Sequence, residues 1–166
     1  MRDDFDALFS YNRWADRLVL DACRALSDEQ YRAEPSPGWS AVRSTVVHLV
    51  RVTEGWLRLL AGEEVAAFLT EADLPTLDAA SDRLGRSYEI YDALRPRLSP
   101  EFLDAPMTMR GGGRTIILPP WVVLRHVVNH ASYHRGQVAS KLARLGVAPP
   151  DTDLDTWALE WMPPDA

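Results

Sequence analysis

Pro119–Leu145, PPWVVLRHVVNHASYHRGQVASKLARL, decides how this chain folds, because it carries an unbroken helical pattern and three of the four histidines. His126, His130 and His134 stand four residues apart. Side chains at that spacing share a helix face at about 5 to 6 Å between Cβ atoms, near enough for two imidazoles to grip one metal ion. The outer two are about 12 Å apart along the axis at about 1.5 Å per residue, so one ion is served by an adjacent pair. With His134 at the origin of a helical wheel, Val123, Val127, Ala131, Val138, Leu142 and Leu145 fall between about −20° and +80°, the expected buried stripe. His134 lies within it, His130 about 40° aside and His126 about 80° away, beside Gln137 and Arg144. The inward pair is therefore His130 and His134. The glutamate of HExxH is absent, which sets aside the helical zinc proteases.

Upstream of this helix, Met107–Arg110 and Arg114–Leu118 flank Gly111-Gly112-Gly113 and read as a small β-hairpin. A phosphate cradle would need Lys-Ser/Thr and a helix directly after the glycines, and neither follows. A third helix is expected from about Leu74-Pro75-Thr76 to Leu98, distorted at Pro96, which supplies no backbone donor. A second runs from Ser40 as N-cap to Gly62, with Ala41, Thr45, His48, Val52, Trp56 and Leu59 on its apolar side and Arg43, Arg51, Glu54 and Arg58 on its polar side. The first extends from Asp4 to about Leu26, with Phe5, Leu8, Trp14 or Ala15, Leu18, Ala22 and Ala25 recurring at three and four. Ser27–Gln30 is a turn or a new helical start, and Glu34-Pro35-Ser36-Pro37-Gly38 is a connection. Beyond Gly146 the tail is too apolar to be disordered, and a short helix from about Asp155 to Trp161 is expected to pack back on the bundle or on a partner. The expected fold class is all-α: a four-helix bundle with a small β-hairpin between helices 3 and 4 and a short C-terminal helical segment, one domain over residues 1–166.

Composition narrows the function. The chain is 46% hydrophobic and 25% charged with a net charge of −6, an ordinary soluble composition without the clustered basic surface that nucleic acid requires. The charged start MRDDFDALF is no signal peptide and no apolar run reaches membrane length, so the expectation is a cytoplasmic protein with neither membrane nor nucleic-acid partners. Cys23 is the only cysteine, which removes internal disulfides, cysteine-based zinc sites and CxxC redox chemistry. In its apolar helical setting it reads as packing.

His48 sits on the apolar side of the second helix. Alone, such a histidine is ordinarily a core or boundary residue with a hydrogen-bonding partner. In a four-helix bundle, however, inward side chains of facing helices build metal sites, and His48 can then join His130 and His134. Three neutral imidazoles at about 2.0 to 2.1 Å from an ion leave coordination positions open, the arrangement of a catalytic site. Such an ion could acidify water, polarise a carbonyl or hold a thiolate.

Tyr11-Asn12-Arg13-Trp14-Ala15-Asp16, His48-Leu49 and above all His126-Val127-Val128-Asn129-His130-Ala131-Ser132-Tyr133-His134-Arg135-Gly136-Gln137, followed by Gly146 and Thr152-Asp153, closely resemble the DinB family. The resemblance covers nearly the whole chain. It implies a four-helix bundle related to thiol-dependent transferases and to the metal-binding domain of mycothiol-dependent maleylpyruvate isomerase, with the metal triad mapping onto His48, His130 and His134. It also implies one divalent transition metal (zinc, nickel or iron), action as a metal-dependent hydrolase or as a thiol transferase on a small-molecule substrate with a low-molecular-weight thiol, a stress-related setting and a homodimer. The competing expectations are a non-catalytic metal-binding or protein-interaction bundle, and histidines that are merely buried polar groups satisfying one another.

Around the triad, Gln137 is placed to orient a ligand or touch substrate, and His126 to support the site or face solvent. Asn129 and Tyr133 fall nearer the outside. Arg135 is expected to pair with an acid and Gly136 to admit a neighbouring helix. Asp153 and Asp155 could close over the site, although capping the tail helix is the simpler role. No general base stands out, Glu54 being on the polar side and Tyr11 untied to the triad, so catalytic residues are left unassigned.

Overall fold

The structure, a computed structural model, describes residues 2–37 and 39–161; Gly38 of the expected connection and the end of the expected tail, 162–166, lie outside the described residues. Four long helices form the bundle: α1 (Arg2–Cys23), α3 (Val42–Ala61), α4 (Leu77–Leu94) and α6 (Pro120–Arg144). Between them stand the short helices α2 (Asp28–Arg32) and α5 (Pro100–Asp104) and the hairpin β1 (Met107–Gly111) and β2 (Arg114–Leu118), and α7 (Leu154–Trp161) closes the described chain. α3 lies between α4 and α6, α1 packs mainly on α6, and α1 and α4 meet more loosely. A groove of about 860 Å³ runs along that looser seam, lined by Phe9, Trp14, Tyr88 and Trp157 among others.

The stripe expected on α6 is the core: Val123, Val127, Ala131, Val138 and Leu142 are buried, and Leu145 is half-buried. Burying side chains of this size contributes about 1.5 to 3 kcal/mol each. Leu124, Val128, Arg135 and Lys141 are buried as well, because α6 is covered by α1 on one side and α3 on the other. On α1 the expected Phe5, Trp14 and Ala15 are buried, together with Phe9, Tyr11, Asn12, Asp16, Val19, Leu20 and Cys23, whereas the expected Leu8, Leu18 and Ala22 are half-buried and Ala25 is exposed. Two polar residues, Asn12 and Asp16, lie in the buried stripe, so it is rotated only in part from the apolar one. α3 likewise buries Val42, Val46, Leu49, Val50, Leu57 and Leu60 at its centre, while His48, Val52 and Trp56 lie on its half-buried flank.

Several ends differ from expectation. α3 begins at Val42 with Ala41 as N-cap and no side-chain cap, and Ser40 instead accepts a hydrogen bond from Lys141 Nζ at 2.8 Å. The buried ammonium also donates to the Ala41 carbonyl and the Thr45 hydroxyl, tying α6 to the start of α3. Ser27 heads a full capping box with Gln30. Thr76, not Pro75, opens α4, which yields at Leu94 to a 3₁₀ turn, Arg95–Arg97, where Pro96 removes a donor. The short α5, capped by Ser99 with Pro100 in its first turn, fills the stretch between the expected third helix and the hairpin. α7 begins one residue earlier than expected, at Leu154, and docks through Trp157 against Tyr11, ring centroids 6.1 Å apart.

The hairpin pairs Met107 with Leu118 and Gly111 with Arg114, so Gly112 and Gly113 form the two-residue turn, at φ of +55° and +73°. Both central residues at positive φ match the twist of the flanking strands. Val65 adds a parallel bridge to Gly111, and the ring of Phe68 lies over the turn. A Cβ on Gly112 would stand 2.7 Å from Phe68 Cε2, whereas one on Gly113 meets nothing within 4 Å. Gly112→Ala is therefore expected to destabilise by about 1 to 3 kcal/mol, and Gly113→Ala, paying only for backbone strain, by visibly less. Urea midpoints of the two variants measure the difference, and equal losses would contradict the assigned contact.

Candidate metal centre

His48 comes from α3, and His130 and His134 from successive turns of α6. His130 Nε2 lies 3.1 Å from His48 Nε2 and 3.1 Å from His134 Nε2. One ligand nitrogen from each of the three lies within 4.8 Å of the others, and among the described residues this is the cluster of metal-ligating type. Two nitrogens held at about 2.0 to 2.1 Å from one ion are separated by about 3 Å or slightly more, so these spacings fit a shared ion. The three rings are half-buried, at the edge of the core rather than its centre.

At His134 hydrogen bonding reinforces the fit. Gln137 Oε1 lies 2.8 Å from His134 Nδ1 and accepts its proton, which leaves the lone pair of His134 on Nε2, aimed at His130. That support is typical of metal-bound histidine. His48 can donate Nε2–H to His130 Nε2, but the lone pair of His134 then faces the same nitrogen with no proton to share, and His130 Nδ1 is buried without a partner. A cation between the rings would relieve that repulsion. A proton does not serve at neutral pH: burial, followed by the neighbouring charges of His134, His48, His126 and Arg51, pushes His130 down to about 3. Burial also lowers His48, with His134 and Arg51 adding to the effect, and lowers His134 against the opposing hydrogen bond that it donates to Gln137. Neutral imidazoles are the form that binds metal.

His126 stands beside this group rather than in it. Its ring is exposed, with its centroid 5.4 Å from that of His130 and 5.5 Å from that of Trp56. Asn129 and Tyr133 are exposed, as the wheel indicated, and Gly136 admits no helix, since a Cβ there meets nothing within 4 Å. Asp153 and Asp155 stay with the tail, where the Asp153 carbonyl and the Asp155 carboxylate accept from the backbone of Trp157 and Thr156. Glu54 corrects the expectation of a polar, solvent-facing side: it is buried against α4, receives Arg83 through both carboxylate oxygens and has Arg58 at 3.6 Å.

The residue after His134 points the other way. Arg135, 2% exposed, donates from Nη1 to Asn12 Oδ1 at 2.6 Å and Asp16 Oδ1 at 2.7 Å, and from Nη2 to Ser132 Oγ at 2.8 Å and Tyr11 Oη at 3.2 Å. Tyr88 of α4 accepts from Asn12 at 2.7 Å and donates to Asp16 at 2.5 Å, and Tyr11 donates to the Thr152 carbonyl at 2.9 Å. The expected acid partner of Arg135 is therefore Asp16. Burial pushes the Asp16 carboxyl above the usual range against the pull of Arg135. This network pins the rotation of α6 against α1, α4 and the tail, and hence the direction in which His130 and His134 face α3. It also accounts for Tyr11, Asn12 and Asp16 of the N-terminal motif, which local spacing could not connect to the histidines.

Fold and site together define a class: a four-helix bundle with a hairpin before its last long helix and a three-histidine cluster across the α3–α6 seam. The DinB family model matches residues 1–165, and the chain belongs to the DinB family. It is similar to Protein DinB of Bacillus subtilis (strain 168), 24% identical over 159 residues and covering 92% of each chain. Among solved structures, a DinB-like protein from Bacillus cereus ATCC 10987 superposes with a TM-score of 0.69 at 20% identity, over 90% of this chain and 95% of that one. YfiT from Bacillus subtilis, described as a probable metal-dependent hydrolase with an unusual four-helix bundle topology, superposes with a TM-score of 0.63 at 17% identity, over 89% and 91%. No helix among the described residues is long and apolar enough to cross a membrane.

Proposed function

We propose that this chain, acting as one unit, is a metal-dependent enzyme whose single divalent transition-metal ion is held by Nε2 of His48, His130 and His134. The observation that carries this reading is the convergence of three Nε2 atoms, with spacings of 3.1 Å to the central one, on a face where Gln137 fixes the proton of His134 away from the cluster. Bound there, the ion would supply Lewis-acid chemistry, acidifying a water or a thiol or polarising a carbonyl. The hydrolytic arm agrees with the description of YfiT. Thiol transfer, with a low-molecular-weight thiol as cosubstrate, is the second arm.

The chain's own residues do the positioning. Gln137 holds His134, the Arg135 network holds α6, and His126 and Trp56 form a wall beside His130. Glu54 and Tyr11 are occupied by Arg83 and Arg135, so neither stands free as a base at the centre. Pairing of two copies belongs to the same proposal, through the side of α7 where Leu159 and Trp161 are 80% and 64% exposed.

Zinc and nickel, titrated separately into protein purified without a metal column, are expected to raise its thermal midpoint. Mass action gives about 2.7 kcal/mol at a hundredfold excess over Kd. The loaded protein would then be assayed on ester, amide and phosphoester panels and for thiol conjugation to electrophiles. No shift with either metal would contradict the reading.

A further inference from the structure

The histidine cluster has a cation beside it already. Arg51 stands one turn beyond His48 on α3, and its Nη2 lies 2.7 Å from His48 Nδ1. A guanidinium offers only donors, so His48 must accept at Nδ1 and carry its proton on Nε2. Yet Nε2 is the atom directed at His130, 3.1 Å away. A neutral imidazole has one ring lone pair to give. Arg51 claims it at Nδ1, and an ion at the cluster would claim it at Nε2. His134 shows the opposite arrangement, since Gln137 Oε1 takes Nδ1–H and leaves Nε2 free. The two flanking histidines are thus held in opposite tautomers, and only that of His134 suits a metal.

Arg51 also differs from its neighbours along the fold. Arg43, Arg58 and Arg83 each pair with a carboxylate, whereas among the described residues Arg51 has no acidic partner and is half-buried beside neutral rings. Among the described residues its donors meet His48 and no other hydrogen-bond partner. Were His48 to give Nε2 to an ion, its proton would move to Nδ1, and two N–H groups, from His48 and Arg51, would then face each other. An acceptor that receives both resolves the clash. The group whose shape and charge match a guanidinium fork is an oxyanion, carboxylate or phosphate.

We propose that Arg51 is the anion-binding residue of this centre, and that an oxyanion group of the substrate, received by Arg51 and His48 Nδ1–H together, binds cooperatively with the metal. The inference rests on the metal reading above and names the substrate class of that same site: a small molecule bearing a carboxylate or phosphate. Reciprocity follows, because an anion that tightens metal binding must itself be tightened by the metal by the same factor.

The test uses the full chain, cobalt(II) as the metal and acetate and sulfate as oxyanion probes, with chloride at equal ionic strength as control. Parent, Arg51→Met and Arg51→Lys are compared by calorimetry and by the visible cobalt spectrum. In the parent, an oxyanion is expected to tighten cobalt binding about fivefold or more, while chloride does not. Arg51→Met should bind cobalt without oxyanion at least as tightly as the parent, the competing donor being gone, but should lose the coupling; Arg51→Lys should keep part of it. Coupling absent in the parent, or equal in Arg51→Met, overturns the proposal. If the parent takes up no cobalt under any condition, the metal reading fails, and the anion site is judged by thermal midpoints alone. Stabilisation by acetate or sulfate that disappears in Arg51→Met then supports the anion site alone, without the coupling, and its absence in the parent or its persistence in the variant overturns the site.

Discussion

Arg135→Met is expected to destabilise the protein by about 3 to 5 kcal/mol, the cost of leaving a buried charge without its partner. The guanidinium satisfies Asn12, Asp16, Ser132 and Tyr11 at once, and Asp16 is itself 2% exposed. Methionine keeps most of the apolar volume, so the loss isolates the charge and its hydrogen bonds. Adding Asp16→Asn removes the stranded carboxylate and should recover part of the loss, which two independent sites would not do. Urea unfolding of the parent, the single variants and the double variant measures the cycle. A loss below about 1 kcal/mol for Arg135→Met, the size of an exposed pair, would contradict its role as the link between α1, α4 and α6.

The largest effect on the centre is expected from His130→Ala. His130 is the middle of the three, with both short nitrogen separations involving its Nε2. Removing it leaves His48 and His134 on different helices with no nitrogen between them, and stoichiometric metal should be lost. Gln137→Ala retains all three rings but frees that of His134, and an orienting partner of this kind is worth about 10- to 100-fold in metal affinity. His126→Ala should leave affinity within a few-fold of the parent, because its ring stands 5.4 Å from that of His130 by centroid and is exposed. Competition against a chromophoric chelator ranks the three variants. Equal affinities for His130→Ala and His126→Ala would show that the cluster has been misassigned.

Much of this architecture is legible in the residues. The unbroken stripe of α6 gives its helix, its buried side and the inward direction of His130 and His134, while Pro120 and Gly146 mark its ends. The triple glycine gives the hairpin, although Gly111 belongs to β1 and only Gly112 and Gly113 turn. Local pattern failed where tertiary partners changed what a residue type means. Asn12 and Asp16 fall outside the apolar series of α1, and their buried positions depend on Tyr88 and Arg135, more than seventy residues away. Ser40 had the look of a cap until Lys141 arrived from α6. Glu54 falls on the polar side of its helix, and its burial depends on Arg83, which comes from another helix. α5, in contrast, carries its signal locally, with Ser99 as cap, Pro100 at the first position and Glu101 in the first turn, but at five residues it is too short to show a helical period. Arg51 could not have been distinguished from the other arginines of α3, since its significance depends on which nitrogen of His48 it meets.

The most direct test of the central claim is elemental analysis of the protein purified without an affinity-tag metal column, beside His48→Ala prepared identically. His48 contributes from the helix facing the other two histidines, so it reports on the assembled centre rather than on α6 alone. The account predicts near one divalent transition metal per chain in the parent and a loss of that metal in the variant, both retaining the helical fold by circular dichroism. Metal absent from both, and not taken up on reconstitution with zinc, nickel or iron, would contradict it.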